Sequence, residues 1–213
     1  MEWVMGIVPV ILLLLGFPIF TILLATAAIV LLIFAPVPPM AVHINMFGSV
    51  DKFALMAVPF FIFAGEIMGH GGISKRIVDW VLSIIGGLRG SLALTTVGTC
   101  TVFGAISGSS PATVAAVGRL LYGPLRNAGY NEKFSSGLLA SSGAIAIVIP
   151  PSISMILYGA SAEQSVALLF IAGVFPGIII ALLMARYIYS NALRSGIPES
   201  TRLSKKELTR ATI

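Results

Sequence analysis

Residues 4–34 contain no Asp, Glu, Lys or Arg. As one α-helix this stretch would outrun the roughly 30 Å hydrocarbon core of a bilayer. Its apolar runs, at 8–15 and 27–34, are continuous. Strands of a membrane barrel alternate polar and apolar positions, so these runs are helices. The rest of the chain agrees. Only 10% of the 213 residues are charged and 57% are hydrophobic, with a mean hydropathy of +1.02. A soluble domain carries roughly 25% charged residues. A chain so poor in charge cannot cover its surface in water, so lipid is part of its solvent. The fold class is all-α integral membrane, a multi-span helical bundle. Gly16-Phe17-Pro18 interrupts the first run. Proline removes a backbone donor there, which leaves two readings open: one kinked helix or two short ones.

Glu2 is the only early charge and there is no basic region ahead of the apolar run. That predicts a retained membrane helix rather than a cleaved signal. Pro36, Pro38 and Pro39 mark a break, and 40–50 reads as a short interfacial segment. Residues 53–68 form a second candidate span, closed by Gly69-His70-Gly71-Gly72. Over 73–89, Ile73, Ile77, Trp80, Val81, Ile84 and Ile85 recur at helical spacing, with Lys75, Arg76 and Asp79 off the stripe. This predicts an amphipathic arm lying along the interface. The organisation follows as 1–72 scaffold-like helices, 73–89 arm, 90–128 re-entrant hairpin, 129–196 broken helix and final span, and 197–213 basic tail. The last span, over 164–185, has a soft point between Gly173 and Gly177. Arg194, Arg202, Lys205, Lys206 and Arg210 put the tail in the cytoplasm by the positive-inside rule. The net charge of +5 is therefore a topology signal, and no stacking platform accompanies it to suggest nucleic acid. Cys100 stands alone in an apolar stretch, which excludes an internal disulfide and suits a buried, inert thiol.

Residues 90–118 carry no formal charge, and 14 of these 29 positions are Gly, Ser or Thr. Arg89 precedes the segment, and Arg119 and Arg126 follow it. A single crossing would put basic flanks on both faces, against the usual bias. A hairpin that enters at Gly90, turns at Ser107-Gly108-Ser109-Ser110-Pro111 and returns along 112–121 keeps both flanks on one side. Pro111 suits a first helical turn, and Ser109 or Ser110 can cap its amides. A turn at membrane depth must be buried in protein or line a watery cavity. Its carbonyls and hydroxyls suit Na⁺, and its amide-rich helix start suits a carboxylate. Residues 134–162 are also free of Asp, Glu, Lys and Arg, broken at Ile149-Pro150-Pro151-Ser152, which offers a second unwound segment. Close packing competes as the reading of the small residues, and Gly104-x-x-x-Gly108 fits it.

On these residues the chain resembles the large membrane subunit of the tripartite ATP-independent periplasmic (TRAP) transporters. The matching stretches are 57–68 (AVPFFIFAGEIM), 71–76 (GGISKR), 103–109 (FGAISGS), 149–153 (IPPSI) and 169–177 (LFIAGVFPG). Five pieces in the family's order are specific where one would be weak. The resemblance implies one half of an inverted-repeat, elevator-type importer of organic acids, C4-dicarboxylate- or sialic-acid-like, driven by sodium symport. It implies a periplasmic substrate-binding protein and a small four-helix membrane subunit as partners, and the bacterial inner membrane as location. Na⁺ is then the coupling ion, with no other cofactor or metal. Carried over, Ser107, Gly108, Ser109, Ser110 and Thr113 line the hairpin tip, and Pro150, Pro151 and Ser152 stand opposite. The family's large subunit is about twice as long, so the chain is expected to be a fragment or half of a split subunit, incomplete as a transporter.

Other chemistry is poorly supported. Glu66 ends an apolar segment, where a carboxylate costs less than the roughly 2.5–3.5 kcal/mol of a helix centre. An interfacial contact is one reading and an auxiliary coupling role the other. An intramembrane serine protease needs a base beside its serine, and the histidines are His43, after a break, and His70, at a helix end. No cluster has metal-ligand spacing and no phosphate-binding loop is present. Two non-enzymatic rivals remain: a divalent-anion/sodium symporter half working without a binding protein, and, as a different class, an inert scaffold half that only binds the small subunit.

Overall fold

The computed structural model describes residues 2–34 and 38–194. The basic tail at 197–213 and positions 35–37 of the first proline break lie outside the described residues. The described residues are mostly helical, without a strand, and the chain divides into two compact units, one up to Lys52 and one from Phe53.

In the first unit, α1 (Glu2–Leu14) and α2 (Ile19–Phe34) are separate helices that pack on one another. This decides the choice left open by the sequence. Gly16 takes a left-handed φ of +80° and Pro18 begins the next helix. The amides of Gly16 and Phe17 return to the carbonyls of Leu13 and Leu12, which closes α1 with a C-terminal cap. At 13 and 16 residues, each helix falls short of the roughly 30 Å core. Ile22, Thr26 and Val30, one turn apart on α2, are buried, while Phe20, Leu23, Leu24, Leu32 and Ile33 face outward. Thr26 hides its hydroxyl by donating to the Ile22 carbonyl at 2.7 Å. α3 (Pro39–Val50) follows with proline at its start, where no amide is needed.

The second unit holds the hairpin. A 3-10 turn, Phe53–Met56, leads into α4 (Ala57–His70), and together they are long and apolar enough to cross a membrane. Gly72, at φ +79°, starts α5 (Ile73–Ile85). Then come α6 (Ser91–Ser107), α7 (Ser110–Asn127), α8 (Glu132–Val148), α9 (Ile153–Ser161) and α10 (Val166–Arg194). α10 is a second helix long and apolar enough to cross, and α8 and α9 together have the length and apolarity of one more, bent by 44° at the proline pair.

Small residues set the register. A Cβ on Gly104 would lie 2.6 Å from that of Ala146, and one on Gly143 would collide with Val114. Gly118 faces Leu139. These pairs make α8 parallel to α6 and antiparallel to α7, so the hairpin straddles α8. At the base of the hairpin, Gly90 touches Ala192 and Ile188 of α10 and the Tyr130 hydroxyl. α10 therefore runs back along α8. Two interlocked cores result, one around Val97, Leu125, Tyr130, Ile145 and Ile188, the other around Val78, Phe103, Val117 and Leu121.

Three sequence expectations change in detail. The returning arm does not stop near 121 but continues to Asn127, so Arg119 sits inside a helix, bonded to its own Ala115 carbonyl, rather than flanking one. The arm stripe over 73–89 forms a helix that ends at Ile85. Its inner edge is Ser74, Val78 and Val81, with Val81 pressed on Gly98 of α6, while Ile84 stays exposed. The soft point at Gly173–Gly177 is unbroken helix, Pro176 included. Its glycines are there for contact: Cβ atoms would overlap the Met155 side chain at 173 and Ile149 at 177.

Candidate ion and substrate site at the hairpin tip

α6 ends as its glycine dictates. Gly108 adopts φ +63° and its amide returns to the Gly104 carbonyl at 2.8 Å, a left-handed C-cap. Gly104 and Gly108 thus do different work: the first is a packing contact and the second a conformational necessity. One residue later α7 begins. Ser109 is its extended N-cap and accepts from the Ala112 amide at 3.4 Å, with Pro111 in the first turn. The turn between the helices is only Gly108 and Ser109.

The hydroxyls of the tip fold in on one another. Thr113 Oγ1 donates to the Ser109 carbonyl at 2.8 Å and lies 3.1 Å from Ser107 Oγ. Ser107 Oγ in turn accepts from the Ser109 amide at 3.4 Å. Ser107 and Thr113 are fully buried, whereas Ser109 and Ser110 are half-buried. The structure therefore brings Ser107, Gly108, Ser109 and Thr113 into one knot. Ser110 stands at its edge, with its carbonyl turned towards Gly143.

The proline break of the other element meets this knot directly. The Ile153 amide donates to the Gly108 carbonyl at 3.1 Å, and a Cβ at Gly108 would stand 3.0 Å from the Pro151 carbonyl oxygen. Ser152 is the N-cap of α9, but its side chain makes no cap bond. It is fully buried and its hydroxyl has no hydrogen-bond partner among the described residues. Four helix ends meet here: the carbonyl ends of α6 and α8, and the amide ends of α7 and α9. Such ends carry partial charges of opposite sign that suit small ions of either sign. The oxygens available for a cation are neutral hydroxyls and carbonyls. No group of three His, Cys, Asp or Glu side chains occurs among the described residues, so the donor set fits a hard monovalent ion rather than a transition metal.

Glu66 does not join the cluster. Its side chain is exposed and lies 3.4 Å from the His70 ring one turn on, near the end of α4. The neighbouring Gly65 does join, since its Cβ would come 3.2 Å from that of Ser107. Sequence reading passed over Gly65, although it sits in the AGE run of a matching stretch. It also passed over buried hydroxyls on α6 and α8 that have no hydrogen-bond partner among the described residues, those of Thr95, Thr99 and Ser142. Hydroxyls recurring in an uncharged segment were the available signal.

Two broken elements joined at their breaks, inside a unit whose spans suit a bilayer, define an integral membrane protein of the discontinuous-helix class. The family described as "Tripartite ATP-independent periplasmic transporter, DctM component" matches residues 7–213, and the chain belongs to it. The C4-dicarboxylate TRAP transporter large permease protein DctM of Pseudomonas aeruginosa is 39% identical over 182 residues, 85% of this chain and 43% of that protein. The ectoine/5-hydroxyectoine TRAP transporter large permease protein UehC of Ruegeria pomeroyi is 41% identical over 203 residues, 94% of this chain and 47% of its own length. The isethionate TRAP transporter permease protein DctMQ of Oleidesulfovibrio alaskensis is 45% identical over 150 residues, 70% of this chain and 24% of that one. The chain thus spans less than half the length of these curated relatives. All are named as permeases and none as an enzyme, which sets aside the protease reading.

Proposed function

We propose that this chain supplies one half of the ion- and substrate-binding body of a sodium-driven importer of organic acids that depends on a periplasmic binding protein. The observation that carries this reading is the Gly108–Ile153 hydrogen bond, which ties the hairpin tip to the proline break. It gathers hydroxyl and carbonyl oxygens for Na⁺ beside two helix starts whose amides suit a carboxylate. Ser107 Oγ, Ser152 Oγ and the carbonyl of Pro151 are the cation donors. The Ser110 amide of α7 and the Ser154 and Met155 amides of α9, in the first turns of those helices, face the substrate's acid group. The substrates in the relatives' names favour dicarboxylates and other small organic acids, and the family favours a binding-protein system over a stand-alone symporter. A small four-helix membrane subunit completes the assembly in the bacterial inner membrane.

Membrane orientation follows from charge. Arg126, Lys133 and Arg186 all lie towards the base of the hairpin, away from the tip, as does Arg89 by its place in the chain. The positive-inside rule puts that base in the cytoplasm and the tip at membrane depth. α6, with 17 residues or about 25 Å, enters without crossing. Single cysteines at exposed Leu88 and Asn127, in a Cys100→Ser background, are expected to react only from the cytoplasmic side. Labelling from opposite sides would overturn re-entry. In the assembled transporter, Ser107→Ala with Ser109→Ala is expected to weaken the sodium dependence of uptake. Unchanged sodium dependence would refute the cation role.

A further inference from the structure

Away from the tip, an open cleft of about 490 Å³ runs between α8 and α10. That volume is within the roughly 300–1,000 Å³ typical of small-molecule sites. Phe134, Leu138, Leu183 and Met184 form its walls, and Lys133 stands at its end. Leu183 and Tyr187 are shared with a second recess, whose other members are polar: Arg186, Ser190 and Asn191. An apolar trough thus opens into a polar, basic mouth. Neither the Lys133 nor the Arg186 side chain is hydrogen-bonded or ion-paired among the described residues. Lys133 also lies in the first turn of α8, where the aligned peptide dipoles add positive potential. Glu132, the nearest acid in sequence, is outside both linings. The floor is Gly137, whose Cβ would meet nothing within 4 Å.

We propose that this cleft holds one anionic phospholipid, its acyl chain in the trough and its phosphate between Lys133 and Arg186. The occupant is fixed by complementarity. A hydrocarbon tail matches the walls, an anionic head matches two unpaired cations, and Ser190 and Asn191 offer further hydrogen bonds to it. Basic residues beside a cytoplasmic membrane surface attract anionic lipid in this way. The proposal rests on the membrane orientation given above but not on the sodium site, so sodium-dependent uptake and lipid binding can fail independently.

The test is native mass spectrometry of the protein in mild detergent, titrated with phosphatidylglycerol or phosphatidylcholine. One phosphatidylglycerol is expected to be retained in preference to phosphatidylcholine. Lys133→Ala with Arg186→Ala is expected to weaken its retention roughly thirtyfold, whereas Lys75→Ala with Arg76→Ala on α5 leaves it unchanged. Gly137→Leu fills the trough from open space and favours helix, so the variant folds while retention of this lipid falls. Equal retention of the two lipids overturns the proposal, as does unaltered retention in both cleft variants. A second polypeptide held there in place of lipid also overturns it.

Discussion

Gly108→Ala tests the junction between the two breaks. Two costs are separable. The first is conformational: an L-residue at φ +63° is disfavoured by about 1–2 kcal/mol, offset by about 0.4–1 kcal/mol from the stiffer unfolded chain. The second is steric. The new Cβ would stand 3.0 Å from the Pro151 carbonyl oxygen and 3.3 Å from the Ile153 nitrogen. Both are backbone atoms that cannot rotate away, so relief requires separating the tip from α9 and stretching the Gly108–Ile153 bond. Lost packing and a strained hydrogen bond together cost about 1–2 kcal/mol more. Gly72 provides the internal reference. It has φ +79° and no atom within 4 Å of its would-be Cβ, so Gly72→Ala carries only the first cost. Denaturant titration in detergent micelles, followed by circular dichroism, measures both variants. Gly108→Ala is expected to be the less stable by about 1–2 kcal/mol. Equal losses would mean that the tip does not bear on the proline break, and the proposed site would lose its second wall.

Three further outcomes follow from the geometry. Gly104→Ala drives a methyl into Ala146 and is expected to cost about 1–3 kcal/mol in the same titration; adding Ala146→Gly recovers part of that loss if the contact is direct. Ser109→Ala removes the α7 cap and is expected to cost about 0.5–1 kcal/mol, the low end for a cap because the bond is 3.4 Å long; no loss would show that Ser109 is not the cap in the membrane. Tyr130, in the loop before α8, has a phenol pushed up by burial, so the folded state holds its proton more tightly than the unfolded state does. Its contribution is whole below pH about 10, the ordinary tyrosine value, and is lost as pH rises through the folded value. Tyr130→Phe is expected to flatten that alkaline decline in an unfolding series.

The hairpin was legible because several local signals agreed. An uncharged segment, a Gly-Ser-Ser-Pro turn and basic residues at both ends all fit a helix, a turn and a helix, and the structure folds 91–127 so. Pro111 and Ser109 stand where cap chemistry puts them. Positions whose role depends on a distant partner were not legible. Gly173 and Gly177 look like a weak point in one chain, yet they are places where α8 and α9 come against α10. Gly65 is unremarkable in α4 until Ser107 lies beside it. Arg119 looks like a flank because charge ends an apolar run, but the helix continues since an exposed arginine does not oppose helicity. Glycine relaxes a helix or admits a neighbour, and only the neighbour decides which.

The contacts that lock α8 to both arms of the hairpin, Gly104 on Ala146 and Gly143 on Val114, have a mechanical consequence. Backbones at such range leave no slack for the tip to swing off α8 like a lid on a hinge. Lifting it would break both seams and the Gly108–Ile153 bond together. The hairpin and the broken helix are thereby held as a single wedge. Under the importer function proposed above, access to the tip changes at the perimeter of that wedge and not within it.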